Sequence, residues 1–148
     1  MPKTENIFLA SDDAEIRGCY AVMAELRPHV PLDEFLLRVK RQQEIAAYEL
    51  AAITAETGGE VKAVAGFRIS ENLAWGKYLY VDDLVSRSDE RSKGYGGALF
   101  DWLVEYARKH NCDQFHLDSN VTRFAAHRFY LVKRMNIEAH HFGMKLKS

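Results

Sequence analysis

A glycine-rich, basic stretch between a strand-like run and a helix-like run has the residue types that bind phosphate. The strand-like run covers residues 78–86, and the helix-like run covers residues 98–109. The first N–H groups of a helix have no intrahelical partner and carry partial positive charge, and glycine lets a phosphate approach the backbone closely. We therefore expect a pyrophosphate to be held by Arg91, Ser92, Lys93, Gly94, Tyr95, Gly96, Gly97 and Ala98.

Two common phosphate-binding loops fit this stretch poorly. A P-loop requires Lys and then Ser or Thr after its last glycine, whereas Ala98 follows Gly97. A dinucleotide-binding fingerprint requires a third small residue where this chain has Leu99. Asp118 lies roughly where a ribose-binding acid would be expected, so an enzyme that binds another diphosphate, such as NAD or ATP, stays open as an alternative.

Length and composition favour one domain of ordinary size. The chain has 148 residues, of which 47% are hydrophobic, and its formal net charge is −1. A near-neutral balance argues against nucleic acid as the main partner. No apolar run approaches the roughly 20 residues that span a bilayer, and the N-terminus lacks the apolar core of a signal peptide. With only two cysteines at no metal-ligand spacing, we expect reduced thiols in a cytoplasmic protein.

The hydrophobic pattern alternates between the periods of strands and helices. Asp12 and Glu15 form a candidate capping box before the first helix, and Gly58 and Gly59 signal a hairpin turn. Gly66 inside a strand marks a candidate bulge. The predicted strands are residues 6–10, 47–56, 61–70, 77–86, 114–118 and 137–146, and the predicted helices are residues 16–27, 32–43, 98–109 and 124–134.

The spacing Arg91-x-x-Gly94-x-Gly96 resembles the acyl-CoA pyrophosphate loop of the GNAT N-acetyltransferase family. The order of elements resembles that family across essentially the whole chain. The resemblance implies a single GNAT domain over residues 1–148, with a mixed α/β fold whose central, mostly antiparallel sheet is flanked by about four helices. It also implies acetyl-CoA as the cofactor and direct transfer of an acetyl group to a primary amine of a small molecule or peptide.

Two further motifs resemble those of the family. Residues 80–86 are similar to its fourth strand, which implies that backbone groups of Leu84, Val85 and Ser86 pair with the pantetheine arm. Residues 126–130 are similar to its A-x-x-F-Y signature, which implies that Tyr130 protonates the departing thiolate. Unlike the family pattern, Arg123 stands where an asparagine is frequent and Asn120 lies three residues earlier; both are expected to contact the cofactor.

Asp82 and Asp83 are the candidate bases that take a proton from the amine, with Glu49 as a weaker alternative. Adjacent residues on a strand point to opposite faces, so we expect at most one of the pair to face the acceptor. The acidic pair favours a cationic acceptor, such as a polyamine, an aminoglycoside or a lysine side chain.

The other candidate chemistries have little support in the sequence. The six histidines are scattered or adjacent on a strand, so we expect no metal site, and G-x-S-x-G is absent. A non-catalytic acyl-CoA-binding or regulatory module stays open as the alternative to an enzyme. The alternating last strand suits either a homodimer interface or the core of one copy.

Overall fold

A five-stranded sheet with helices on both faces organises the chain, in a computed structural model that describes residues 6–147. This confirms the mixed α/β fold predicted above. The strands are β1 (Ile7–Leu9), β2 (Tyr48–Thr54), β3 (Val61–Asn72), β4 (Gly76–Ser86) and β5 (Gln114–Leu117). The helices are α1 (Asp13–Gly18), α2 (Tyr20–Leu26), α3 (Leu32–Ala46), α4 (Tyr95–Lys109) and α5 (Phe124–Val132).

The strands lie in sequence order across the sheet, from β1 at one edge to β5 at the other. The pairs from β1 to β4 are antiparallel. β5 begins beside the first residues of β4, because the Asp113 N–H donates to the Lys77 carbonyl over 2.6 Å and the Lys77 N–H donates to the Asp113 carboxylate over 3.0 Å. The short β5 therefore pairs with only the first part of the longer β4.

The two faces of the sheet are covered by different helices. Tyr48 and Leu50 point to one face, where they join a buried core with residues of α1, α2 and α3. Phe67 points to the opposite face, where its ring packs edge-on against Trp102 and Tyr106 of α4. Successive residues of β2 therefore face alternately the layer of α1, α2 and α3 and the layer of α4.

The first predicted helix is divided into α1 and α2, so the structure has five helices among its described residues, where about four were expected. The capping box is confirmed: the Glu15 N–H donates to the Asp12 carboxylate, and the Asp12 N–H donates to the Glu15 carboxylate. The helical ladder breaks after Gly18, where the Cys19 N–H donates to the Ile16 carbonyl, three residues back. Glycine has low helix propensity, which suits it to this break.

The chain divides into two compact units, Met1–His116 and Leu117–Ser148. In the second unit, the expected strand over residues 137–146 is wrong: after α5, residues 133–147 form no helix or strand. Its alternating apolar side chains Phe142, Met144 and Leu146 are 84–92% exposed. The pattern was suited to a strand, but a strand also needs a neighbour to complete its hydrogen bonds, and this segment has no such pairing in the part of the chain that the structure describes.

Candidate active site

The glycine-rich stretch forms the start of α4 and presents backbone N–H groups without a side-chain cap. Gly94 is the N-cap residue, with φ at 89°, a left-handed conformation that suits glycine. The first helical hydrogen bond runs from the Ala98 N–H to the Gly94 carbonyl. The N–H groups of Tyr95, Gly96 and Gly97, which come before this bond, therefore have no carbonyl partner within the helix and can bind an anion.

Gly96 brings this helix start against the end of β4. A Cβ atom added to Gly96 would lie 2.7 Å from the Ser86 hydroxyl oxygen, so a larger residue would displace at least the Ser86 side chain. Glycine at this position keeps the loop and the strand end in close contact. We call residues 91–98 the anion cradle. Its position beside the end of β4 fits a diphosphate joined to an arm that continues along this strand.

Basic side chains surround the loop. The Lys93 ammonium lies 3.0 Å from the Glu90 carboxylate, which also accepts a 2.9 Å hydrogen bond from Lys62. The Arg91 guanidinium lies 3.9 Å from the Glu25 carboxylate and is largely exposed. Lys93 and Arg91 therefore remain accessible to a bound anion.

Among residues 6–147, the last residues of β4 pair along one edge, with β3. Leu84, Val85 and Ser86 are in register with Ala65, Val64 and Ala63 of β3. β5 has four residues against the eleven of β4 and begins beside the first of them. The opposite edge of residues 84–86 therefore extends past the end of β5, and this edge suits a ligand that carries amide groups.

A bulge in β4 brings both acidic residues to the same cavity. Gly66 is in register with Asp83 and Phe67 with Val81, so Asp82 is an extra residue on β4. Asp82 and Asp83 both line a cavity of about 340 Å³ between the sheet and α2 and α3. The expectation that they face opposite sides is wrong, because the bulge interrupts the alternation at this point.

Each of the two carboxylates is paired with an arginine. Arg68 donates two hydrogen bonds to Asp82, of 2.8 and 2.9 Å. Arg27 donates to Asp83 over 2.9 Å, and the Tyr48 hydroxyl donates to the other oxygen of Asp83 over 2.8 Å. Burial is the main cause that raises the pKa of Tyr48 well above its ordinary value, and the charge of Asp83 adds to it. The Tyr48 hydroxyl therefore keeps its proton and donates a hydrogen bond to Asp83.

Glu49 does not line this cavity. It follows Tyr48 on β2 and points to the opposite face of the sheet. There, burial is the main cause that raises the pKa of Tyr106 on α4, and the charge of Glu49 adds to it. Burial also raises the pKa of Glu49 itself. Glu49 is therefore on the other side of the sheet from Asp82 and Asp83, although all three were candidates to take the proton from the amine.

The remaining predicted site residues lie in the second unit. Tyr130 is in α5; burial raises the pKa of its hydroxyl above the ordinary value, and the nearby charge of Arg123 acts in the opposite direction. The Asn120 side chain accepts hydrogen bonds from the N–H and the hydroxyl of Thr122, and its carbonyl accepts from the Arg123 N–H. Asn120 thus orders the turn that precedes α5.

Three residues of the cavity region were missed in the sequence: Arg27, Tyr48 and Arg68. Alternation along β2 places Tyr48 on the same face as Leu50, a signal available from the sequence. Arg27 and Asp83 are 56 residues apart in the chain, and no local pattern indicates their contact.

Neither a metal centre nor a membrane span is found in the described part of the chain. Residues 6–147 contain no group of three or more His, Cys, Asp and Glu side chains that would hold a metal ion. No helix in that range has both the length and the apolar character needed to cross a membrane.

Comparison with known proteins identifies the family. The model of the acetyltransferase (GNAT) family matches residues 14–135. An uncharacterized N-acetyltransferase of Bacillus subtilis (strain 168), YhdJ, is 33% identical over 114 residues, which are 77% of this chain and 79% of that protein.

Solved acetyltransferase structures share the fold. A putative acetyltransferase from Agrobacterium tumefaciens str. C58 superposes with a TM-score of 0.79 at 20% identity, over 94% of this chain and 98% of that one. An aminoglycoside N-acetyltransferase, AAC(6')-Iy, in complex with CoA, superposes with a TM-score of 0.80 at 11% identity, over 95% of both chains. The chain therefore belongs to the acetyltransferase (GNAT) family and is an N-acetyltransferase that uses acetyl-CoA.

Proposed function

We propose that the protein transfers the acetyl group directly to a primary amine of a small molecule or peptide, bound in the cavity at the β4 bulge. One observation carries this proposal: five consecutive residues of β4 connect the cavity to the anion cradle. Asp82 and Asp83 line the cavity, and Ser86 contacts Gly96 at the start of α4. A cofactor held along this strand end has its reactive end beside the cavity.

The residues that hold acetyl-CoA are those that form the cradle and the open strand edge. The N–H groups at the start of α4 bind the pyrophosphate, with positive charge from Arg91 and Lys93. The backbone of residues 84–86 pairs with the pantetheine arm. When bound, acetyl-CoA supplies the acetyl group as a thioester. The further contacts proposed are Ser92 in the loop and Asn120 and Arg123 before α5.

Asp82 and Asp83 are proposed to accept the proton of the amine, directly or through water. In the described structure each of their four carboxylate oxygens takes one donor from Arg27, Tyr48 or Arg68. A carboxylate oxygen has two lone-pair sites, so each keeps one for a further donor. Hydrogen bonds fix the carboxylates in place, which supports catalysis by positioning.

Tyr130 is proposed to donate the proton that the thiolate takes on leaving. Its raised pKa keeps the hydroxyl protonated at neutral pH, which a general acid requires.

Direct transfer agrees with the state of the two cysteines. Burial raises the pKa of Cys19 to about 12 and also raises that of Cys112. A thiol must lose its proton to act as a nucleophile. Neither cysteine is therefore suited to carry the acetyl group between the cofactor and the amine.

The proposal treats residues 1–148 as one catalytic domain, because the family match extends through both compact units. Two free thiols agree with a reducing compartment, and we place the protein in the cytoplasm on that ground. A homodimer is also proposed, since a second copy would cover the exposed apolar side chains of residues 137–146. Light scattering after size-exclusion chromatography measures the mass of the assembly directly.

The test is isothermal titration with acetyl-CoA, with ATP and NAD as controls, followed by a panel of amines read out by free thiol. Micromolar binding of acetyl-CoA without binding of either control, together with release of thiol that depends on an amine, supports the proposal. Binding without turnover on any amine favours the non-catalytic acyl-CoA module. Tighter binding of NAD or ATP favours the nucleotide enzyme.

A further inference from the structure

We propose that the amine acceptor carries an anionic group, a carboxylate or a phosphate, held at the mouth of the cavity by Arg38 with His29 and the outer N–H groups of Arg27. The inference rests on the proposed function, because it assigns a substrate class to the acceptor cavity. It replaces the cationic acceptor that the acidic pair favoured in the sequence.

The acidic pair does not give the cavity an excess of negative charge. Asp82 is paired with the guanidinium of Arg68 through two hydrogen bonds, and Asp83 is paired with Arg27. Two carboxylates are thus balanced by two guanidiniums within hydrogen-bonding distance. The charge of both carboxylates is thus largely neutralised before an acceptor binds, which weakens the attraction for a cationic acceptor.

A further guanidinium, that of Arg38, lines the cavity beside these two pairs. Arg38 and Arg41, on α3, both donate to the same oxygen of Glu34, over 3.1 and 2.9 Å. Two guanidiniums therefore share one carboxylate. Their hydrogen bonds are also the main causes that hold the pKa of Glu34 below its ordinary value, so this carboxylate is charged at neutral pH. Only Arg38 of the two arginines lines the cavity.

Two further residues that line the cavity, His29 and Arg27, have donors without an acceptor in the part of the chain that the structure describes. His29 lines the cavity, and its ring makes no hydrogen bond or ion pair with another of residues 6–147. Arg27 uses its Nε–H on Asp83 and one N–H of its second terminal nitrogen on the Asp82 carbonyl. Its other terminal nitrogen takes no described acceptor. A guanidinium with free N–H groups binds carboxylate or phosphate through charge-assisted hydrogen bonds.

The size and the floor of the cavity limit the rest of the acceptor. Its volume of about 340 Å³ is that of a small-molecule site. Met23, Val30, Phe35 and Val39 supply a buried apolar floor. The fitting acceptor is therefore a small amine with an apolar body and an anionic end, such as an apolar amino acid or a phosphorylated amine.

Matched acceptors test the charge. The acetylation rates are compared for L-leucine and L-leucinamide, for β-alanine and β-alaninamide, and for phosphoethanolamine and ethanolamine, with putrescine as the cationic arm. In at least one of these three pairs, we expect kcat/KM for the acceptor with the anionic group to exceed that for its partner without this group by about tenfold. The carboxylate and phosphate arms show which anion is accepted.

Two variants test the role of Arg38 in binding the anionic group. Arg38→Gln is expected to raise KM for the anionic acceptor about tenfold and to leave kcat nearly unchanged. Arg41→Gln is the matched comparison: it removes the second guanidinium from Glu34 and leaves Arg38 at the cavity, so the preference for the anionic acceptor should fall less than in Arg38→Gln.

Each outcome decides between the two proposals. Preference for an uncharged or cationic acceptor, or a preference that does not depend on Arg38, overturns the inference and leaves the proposed function standing. If acetyl-CoA binds but none of these amines is acetylated, the same compounds are titrated into the CoA-saturated protein, where Arg38-dependent binding of the anionic member supports the inference and no binding overturns it. Acetyl-CoA that is neither bound nor consumed overturns the proposed function itself.

Discussion

The Tyr48 hydroxyl occupies the space in which a side chain on Gly66 would begin. The two residues lie on neighbouring strands and point to the same face of the sheet. A Cβ atom on Gly66 would overlap with the end of the Tyr48 ring and would lie 2.7 Å from the Asp83 carboxylate. Because Gly66 has no side chain, Tyr48 reaches across the strand to hydrogen-bond Asp83 at the base of the cavity.

Gly66→Ala is therefore expected to destabilise the protein. Tyr48 is only 2% exposed, so its ring has no free space to move into, and overpacking of this kind costs about 2 kcal/mol. Urea unfolding measures the change in the free energy of unfolding. Gly18→Ala is the control, because a Cβ at Gly18 meets no atom within 4 Å. Equal stability of the two variants would show that Tyr48 is not confined as the structure indicates.

Gly94→Ala is expected to weaken acetyl-CoA binding. Gly94 has φ at 89°, and an alanine there favours a different backbone conformation that turns the N–H groups of the cradle away. We expect the Kd for acetyl-CoA to rise about tenfold, equivalent to about 1.4 kcal/mol. Isothermal titration measures it.

The control for this variant is Gly58→Ala in the turn between β2 and β3. Gly58 has φ at 76° and open space around its Cα, so the backbone strain is comparable at a distance from the loop. The control should lose similar thermal stability and keep its Kd. A Kd that changes equally in both variants would indicate a global effect of strain, and the cradle would lose its support.

Tyr130→Phe tests the proton donor. Removal of a general acid commonly lowers the rate by about a hundredfold, and the ring that packs in α5 is kept. We expect kcat to fall by that order while the Kd for acetyl-CoA stays nearly constant. Tyr78→Phe, on β4 beside Trp75, is the control and should leave both constants unchanged. Unchanged turnover in the Tyr130 variant would remove this residue from the mechanism.

The elements with strong local signals were predictable from the sequence. The capping box at Asp12 and Glu15 is confirmed, and the helix expected over residues 98–109 is present but begins earlier, at Tyr95, so that Gly96 and Gly97 lie in its first turn. Such features depend on residues within a few positions of one another, and their hydrogen bonds form wherever the rest of the chain lies. The hairpin turn at Gly58 and Gly59 is likewise local, and β2 and β3 on either side of it are antiparallel neighbours.

The geometry of the cavity was not predictable, because it depends on contacts that are distant in sequence. Gly66 marked a bulge, but the extra residue is Asp82 on the partner strand, which only the register shows. The pairing of Arg27 with Asp83 joins α2 to β4 across 56 residues. For the same reason, alternation over residues 137–146 did not determine a strand, since that requires a partner for its backbone.

The pH dependence of kcat tests the protonation state assigned to Tyr130. Burial raises the pKa of this tyrosine, and a general acid works only while it is protonated. Its contribution is therefore complete below the raised pKa and is lost as the pH rises through it, above the ordinary value of 10.0. We expect the midpoint of this loss of kcat in the wild type to lie above pH 10.0. A decrease in kcat with its midpoint below pH 10.0, absent from Tyr130→Phe, would mean that the hydroxyl loses its proton more easily than its buried position predicts.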